Sequence, residues 1–365
     1  MRMPELSIIL PCYNESRNIS LIVERMEKFW PEFNFELVLV NNGSTDDSSD
    51  VLKKVEEENE YIRVVTVEKN RGYGYGILSG LKEARADVLS YSHADIQTPP
   101  EDLFKAFQLY DEKSKGNDTI FVKGERINRR KEEQFYTNAY SLIAYLILGY
   151  KLEDINGQPK LFHKSFLEYL HDAPIDFSFD VYVLYKAVQN GHKIETFPVD
   201  FNLRVYGESN WASSPIKKYK AILGYVKNVI ITSLRNLKDR KNPIHQFAKF
   251  CSVGLFGASV NYGTFYLIYK AFSGHYVMSS LIGYFFAAVV IFLFNRNWTF
   301  HGKDGHISKQ FILFILLITF SFFTNGISIY FFTAIIGFIP ELSQVITMGI
   351  TTAINFIGCK FWVFK

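Results

Sequence analysis

Leu6-Ser7-Ile8-Ile9-Leu10-Pro11-Cys12-Tyr13-Asn14-Glu15 is a short apolar run that stops at a proline and gives way to polar, turn-forming residues. The pattern recurs down the chain. Glu36–Val40 leads into Asn41-Asn42-Gly43-Ser44-Thr45-Asp46, and Ile62–Val67 into Asn70-Arg71-Gly72-Tyr73-Gly74. Val88–Ser92 leads into His93-Ala94-Asp95-Ile96-Gln97-Thr98-Pro99-Pro100-Glu101, and Thr119–Val122 into a basic stretch from Lys123 to Lys131. Between these runs, Asn18–Phe29, Asp47–Glu58, Tyr75–Arg85 and Glu101–Glu112 are amphipathic at helical spacing. Strands alternating with helices predict an α/β domain with a mostly parallel sheet covered on both faces. Ligands of such sheets bind at the carboxyl ends of the strands, which is where the polar segments fall.

Composition divides the 365 residues in two. From Phe247 to Lys365 there are two acids, Asp304 and Glu341, seven bases and about 21 of the 34 phenylalanines. The remaining 246 residues carry 35 acids and 33 bases. This excludes a single soluble globule, a disordered chain and a purely integral transporter. A net charge of +3 gives no support to nucleic-acid binding. Cys12, Cys251 and Cys359 are scattered, which suggests neither a disulfide framework nor a zinc site. The apolar run at Leu6–Leu10 is too short for a signal peptide, so the first domain is expected to stay in the cytoplasm.

Singly, the polar segments are ordinary. Ser44, Thr45 and Asp46 are good helix caps, and Pro99-Pro100 suits a helix start. Gly74-x-Gly76-x-x-x-Gly80 misses the dinucleotide-binding spacing by one residue and reads better as turn and packing glycines. In this order, however, Ile9-Leu10-Pro11-x-Tyr13-Asn14-Glu15, Asn42-Gly43-Ser44-Thr45-Asp46 and Ala94-Asp95-x-Gln97-x-Pro99-Pro100-Glu101 resemble a family 2 glycosyltransferase with the GT-A fold. Phe197-Pro198-Val199-x-Phe201-x-x-Arg204-x-x-Gly207-Glu208-Ser209 narrows the resemblance to the dolichyl- and polyprenyl-phosphate branch. It covers about residues 5–212.

The resemblance implies transfer of one sugar, with inversion, from a nucleotide sugar of the GDP-mannose or UDP-glucose type to a polyprenyl phosphate, undecaprenyl or dolichyl. Breaking the sugar–phosphate bond leaves charge on the β-phosphate, and a divalent cation, Mg²⁺ or Mn²⁺, offsets such charge. Asp95 is the expected carboxylate ligand, with Gln97 adding a carbonyl oxygen. Arg204 matches the family's arginine over the leaving phosphates, and Pro11, Tyr13 and Glu15 match positions that hold base and ribose. Asn42 stands where many relatives carry an aspartate that accepts from the base, and His93 where many carry the first carboxylate of a pair; both are expected on the donor side. On the acceptor side, Arg126 matches an arginine near the phosphates, and Arg129 and Arg130 extend a basic loop suited to the acceptor phosphate. Asp154 and Asp180 are candidates for orienting groups or purely structural ones. The substitutions at Asn42 and His93 also leave open a rival class, a lipid-linked sugar flippase or scaffold with a degenerate transferase domain.

Tyr140–Tyr150 and Lys217–Arg235 mix apolar, aromatic and basic residues in the manner of interfacial helices. Beyond a linker at residues 213–243, the segment 244–365 predicts four spans, near 247–272, 276–294, 311–332 and 342–363. A shift of 64 residues superposes Phe247 on Phe311, Asn261 on Asn325, Phe292 on Phe356 and Trp298 on Trp362, the mark of a duplicated two-helix hairpin. Arg235, Lys238, Arg240, Lys241 and Lys249 precede the first span, and Arg296, Lys303 and Lys309 separate the middle two, so both termini are expected in the cytoplasm. Phe294-Asn295-Arg296-x-Trp298-x-Phe300 and its echo at Cys359–Phe364 resemble the GtrA-like membrane family. The expected partners are a nucleotide sugar, a polyprenyl phosphate and a membrane, with no nucleic acid; a homo-oligomer is compatible with a sequence that does not fix the oligomeric state.

Overall fold

The computed structural model describes residues 3–201, 215–236, 242–268, 276–302 and 305–365. Arg204 and its neighbours to Ser209 lie outside the described residues. The chain divides into two compact units, Met1–Arg235 and Asn236–Lys365.

The first unit alternates as its sequence predicts: β1 (Leu6–Cys12), α1 (Ser16–Glu27), β2 (Phe35–Asn42), α2 (Ser48–Glu58), β3 (Ile62–Val67), α3 (Tyr73–Glu83), β4 (Val88–Tyr91), α4 (Asp102–Ser114) and β5 (Ile120–Ile127). It continues with α5 (Lys131–Leu148), β6 (Lys160–His163), a 3₁₀ segment (Lys164–Leu170), α6 (Phe179–Gln189), β7 (Lys193–Asp200) and α7 (Pro215–Arg235). The seven strands form one sheet in the order β3-β2-β1-β4-β6-β5-β7. Only β6 runs against its neighbours, β4 and β5; the other pairs are parallel.

Strand alternation feeds two cores. Leu6, Ile8, Leu10, Leu37 and Leu39 face the layer that holds α1 and α4, while Ile9, Val38 and Val40 face the layer of α3 and α6. The central strands are therefore apolar on both faces, as buried parallel strands must be. Gly80 lets α3 close on the sheet: a Cβ there would fall 2.5 Å from Ile9 Cγ2 and 2.8 Å from Val40 Cγ2. The glycines of α3 thus pack, as their spacing suggests.

The basic stretch after Val122 is a loop only from Asn128 to Arg130. β5 runs on to Ile127 because β7 pairs with it as far as Ile127–Asp200. Lys123 and Arg126 are strand residues, and Lys123 is buried.

The second unit contains α8 (Pro243–Tyr266), α9 (Tyr276–Phe294), α10 (Ile307–Tyr330) and α11 (Pro340–Gly358). π-Helical turns follow α9 at Asn295–Thr299, α10 at Phe331–Ile335 and α11 at Cys359–Val363. Among the described residues, Ile307–Ile335 and Ile346–Val363 are long and apolar enough to cross a membrane. The bounds of α8 and α9 recur 64 residues later in α10 and α11 (243 to 307, 266 to 330, 276 to 340, 294 to 358).

Ring contacts recur in the same way. Phe292 meets Phe311 at 5.1 Å and 82°, and Phe356 meets Phe247 at 5.1 Å and 85°. Phe292 lies 5.5 Å from Phe314, and Phe356 5.7 Å from Phe250. Phe292–Phe364 and Phe356–Phe300 match at 5.7 and 5.8 Å. Phe300 and Phe364, equivalent to each other, stack at 5.5 Å. Each of these ring contacts between the halves is mirrored with the halves exchanged.

Candidate active site

The loops after β1 and β2 interlock. Asn14 adopts a left-handed conformation (φ 57°), which asparagine tolerates. Its N–H donates to Ser44 Oγ (3.2 Å), and its Oδ1 accepts from Thr45 N (2.8 Å). Glu15 N donates to Ser48 Oγ (3.0 Å), and Glu15 Oε2 accepts from Asn18 Nδ2 (2.5 Å). Ser44 and Thr45 therefore brace the neighbouring loop instead of capping α2, whose N-cap is Asp47. Tyr13, between them, is exposed. Asn41 ties its own turn through Ser44 N and Ser49 Oγ. Asn42 is buried and donates through Nδ2 to Gly72 O (3.0 Å); its Oδ1 is also buried and has no hydrogen-bond partner among the described residues. Pro11 and Asn42 sit together over Gly76, where a Cβ would lie 3.2 Å from Pro11 Cβ and 3.0 Å from Asn42 Nδ2.

Beyond β4 the backbone is strained. Ile96, a buried β-branched residue, has φ 58°, a conformation that costs ~1–3 kcal/mol and is held only by surrounding contacts. It separates Asp95, buried at 7% exposure, from Gln97, whose N–H donates to Asp95 Oδ1 (3.2 Å). The two residues expected to hold a cation thus share one tightly wound loop at the carboxyl end of a central strand. Among the described residues no group of three or more His, Cys, Asp or Glu side chains comes together as a metal cage. One carboxylate and an amide still fit a hard cation of the kind that takes one or two carboxylates and completes its shell with substrate phosphates and water.

His93 stacks beneath Tyr73 (5.3 Å between centroids, 25°), and Tyr73 stacks on exposed Phe177 (5.5 Å, 11°). Burial holds the His93 imidazole below its usual pKa, although Asp95 and Asp180 pull the other way; Lys160 and Arg126 also act on it. It is therefore neutral near pH 7. Around it lies a buried polar network of which the sequence singles out Asp180, as an orienting or structural candidate, but not its partners. Asp180 Oδ1 accepts from Lys160 Nζ (2.6 Å), Tyr91 OH (2.9 Å) and Gln158 Nε2 (3.0 Å), and Gln158 Nε2 also reaches Tyr73 OH (3.3 Å). Burial pushes the Asp180 carboxyl up, but Lys160, His93 and the donors outweigh it and hold the group ionised. For Lys160 the signal in the sequence is its place at the start of an apolar run, Lys160-Leu161-Phe162.

The arginines separate. Arg126 is clasped by Asp154, which accepts from its backbone N–H (2.8 Å) and its guanidinium (3.0 Å from Nε, 2.5 Å from Nη2). Burial pushes the Asp154 carboxyl up, yet Arg126 keeps it below the usual carboxylate range. Arg129 is largely enclosed, donating to Thr137 Oγ1 and Gln134 Oε1 and lying 3.8 Å from Asp154. Arg130 turns outward to Glu133. Among the described residues Lys123 donates to two carbonyls, Gly124 O and Asp154 O, and burial draws its pKa down to about 8.

The chain matches two family models, glycosyl transferase family 2 over residues 7–170 and the GtrA/DPMS transmembrane domain over residues 249–364. A dolichol-phosphate mannosyltransferase of Pyrococcus furiosus is 27% identical over 271 residues, 72% of this chain and 72% of its own. An undecaprenyl-phosphate 4-deoxy-4-formamido-L-arabinose transferase of Pseudomonas syringae is 34% identical over 110 residues, 28% of this chain and 32% of its own. A solved mannosyltransferase of Pyrobaculum calidifontis, in complex with GDP-Man and Mn²⁺, aligns with a TM-score of 0.44 at 18% identity, over 82% of this chain and 88% of its own.

Proposed function

This chain is a family 2 glycosyltransferase that carries a GtrA/DPMS transmembrane domain, and from that premise we propose that it transfers a single sugar from a nucleotide sugar to the phosphate of a polyprenyl phosphate. The observation that carries this reading is the joining of the two domains in one chain, together with a mannosyltransferase relative whose likeness extends over 271 residues, beyond the length of the transferase domain alone.

An oxygen of the acceptor phosphate attacks the anomeric carbon, its bond to that carbon forms as the bond to the β-phosphate oxygen breaks, and the nucleoside diphosphate leaves with the electron pair. The configuration inverts. A phosphate monoester is mostly dianionic near neutral pH, with a second pKa of about 6, so no side chain need remove a proton. Asp95 and Gln97 would hold a divalent cation, Mg²⁺ or Mn²⁺, which would supply charge neutralisation at the leaving diphosphate. Pro11, Tyr13, Glu15 and Asn42 would receive the base and ribose, and neutral His93, stacked on Tyr73, would stand on the donor side without adding charge. Arg204 would meet the leaving phosphates. Arg126, aimed by Asp154, and Arg129 would attract the acceptor phosphate, with Arg130 at the rim.

The exposed apolar side chains of α5 (Phe135, Leu142, Leu146) and α7 (Leu223, Ile230, Leu234) support a membrane-facing surface on the first unit. The recurring bounds and mirrored ring contacts support four spans built as a duplicated hairpin. Exposed Trp298 and Trp362 occupy equivalent positions, and Lys249 lies 5.2 Å over Trp298, as expected of a cytoplasmic interface. The test offers labelled GDP- and UDP-sugars with a short-chain polyprenyl phosphate to the full-length protein in detergent. Lipid-soluble label that depends on the acceptor supports the reading; label released only as free sugar, or none, overturns it.

A further inference from the structure

Helices α5 and α7 each have two unlike faces. Phe135, Leu142 and Leu146 on α5, and Leu223, Ile230 and Leu234 on α7, are exposed. The opposite faces turn inward: Ala144 and Leu148 of α5, and Val229 and Ser233 of α7, are buried. Tyr140 precedes Ala144 by four residues and Tyr225 precedes Val229 by four, so both tyrosines belong to the inward faces. Both are half-buried, and their rings pack at 5.0 Å and 38°. About two turns further along both helices, Ser233 Oγ donates to Ile147 O (3.1 Å). The helices therefore run side by side in the same direction, and two contacts fix the tyrosine pair between them.

The pair stands beside the arginines. Thr137, one turn before Tyr140 on the same face of α5, accepts from Arg129 Nη1 (2.7 Å). Arg129 lies 3.8 Å from the Asp154 carboxylate, which clasps Arg126. Burial drives both phenols above their ordinary pKa. Asp180 adds to this at both, Tyr225 adds to it at Tyr140, and Arg126 opposes it at Tyr225. Both phenols therefore keep their protons at neutral pH. Among the described residues neither hydroxyl has a hydrogen-bond partner, whereas those of Tyr73 and Tyr91 are engaged. An enclosed tyrosine hydroxyl ordinarily finds a partner. For ring packing alone phenylalanine, used 34 times in this chain, would serve and leave no donor over.

We propose that Tyr140 and Tyr225 donate these two hydroxyls to the phosphate of the acceptor. A phosphate monoester has three terminal oxygens. One attacks the anomeric carbon, and the other two need donors that hold and aim the group. Arg126 and Arg129 supply charge, but Asp154 draws on both. Neutral O–H donors hold a phosphate without the full charge of another cation, which would lower the basicity of the attacking oxygen. The leaving diphosphate of the donor offers the same chemistry, but it is assigned above to the Asp95 loop. The tyrosines stand instead on two helices whose outer faces are apolar, as suits a head group that continues into a hydrocarbon tail. This rests on the polyprenyl-phosphate reading and adds to it which uncharged groups hold the acceptor head.

The test makes Tyr140→Phe, Tyr225→Phe and the double variant in the full-length protein in detergent, which keeps the rings and removes one or both hydroxyls. KM is measured for a short-chain prenyl phosphate and separately for the nucleotide sugar. Binding of the prenyl phosphate is compared with that of the matching prenol by titration calorimetry. The expected result is a rise of about tenfold in the acceptor KM for each single variant and more for the double. The nucleotide-sugar KM and the melting temperature should stay unchanged, and the preference for phosphate over prenol should shrink in step. An unchanged acceptor KM in the double variant, an equal rise in both KM values, a rise confined to the nucleotide sugar, or a fall in melting temperature that accounts for the loss overturns the assignment and leaves the transferase reading standing. If the unaltered protein transfers no sugar, the transferase reading falls. Prenyl-phosphate binding that weakens in the variants then keeps the tyrosine seat, and binding that does not change overturns it as well.

Discussion

The two flanks of the candidate site are built from different interactions. On the β1–β2–β4 flank, the loop ahead of buried Asp95 is held mainly by hydrogen bonds between backbone and neutral side chains, Asn14 with Ser44 and Thr45, and Glu15 N with Ser48. On the β5–β6 flank, charged groups are already paired: Arg126 with Asp154, Lys160 with Asp180. Paired charges are committed to geometry, and removing one partner strands the other in a low-dielectric setting. Substitutions on the first flank should therefore act on catalysis, and those on the second on stability as well.

The largest effect is expected from Asp95→Asn, which keeps the shape of the strained loop and removes its anionic charge. Transfer should fall by ~10²-fold or more, with weaker metal-dependent donor binding and an unchanged melting temperature. Near-normal turnover in Mg²⁺ or Mn²⁺ would remove Asp95 from the metal site and dissolve the contrast between the flanks.

Arg204→Ala should lower kcat by ~10²-fold while donor affinity changes less, if the arginine meets charge that develops in the transition state. A change confined to KM would reassign it to ground-state binding.

On the paired flank, Asp180→Asn should destabilise the first unit by ~3–5 kcal/mol, because Lys160 loses its counter-ion at 0% exposure. Lys160→Met with Asp180→Leu should cost less than Asp180→Asn alone, as a buried pair is often replaceable by apolar groups. Denaturant unfolding of the three proteins decides this; equal losses in the single and double variants would show that the pair contributes nothing through charge.

The smallest effect concerns pH. The folded pKa of Lys123, about 8, lies below the ~10.4 of an unfolded lysine. Between these values the unfolded chain binds the extra proton, so this residue's contribution to stability rises with pH across that window and is at its least favourable below about 8. Lys123→Met should flatten the stability profile between about pH 8 and 10 and raise stability at neutral pH. A profile with the same slope in the variant would show that Lys123 is not the group responsible.

Much of this was legible in order and spacing. Five strands and four helices follow from apolar runs of strand length and from amphipathic periodicity, because a sheet covered on both faces requires both. The loops at the strand ends announce Asp95 and Gln97 by position, and the 64-residue echo announces the mirrored ring contacts of the second unit. β6 escaped detection because its four residues include the charged Lys160, and β7 because its alternation contains a proline and two acids. Lys123 reads as the start of a basic, phosphate-facing loop, since a local pattern cannot show that β7 extends the strand beyond it.

What the sequence by itself determined was the first five strands and the helices between them, the α/β class and the membrane character of the last third, all of which depend on periods of a few residues or on average composition. Tertiary structure alone decided which charges meet. Asp154 lies 28 residues from Arg126, and Asp180 lies 20 from Lys160 and 89 from Tyr91. No pattern along the chain encodes those encounters. They follow from strand order, which sets β6 between β4 and β5 and turns a lysine that would otherwise seek water into the centre of a buried network.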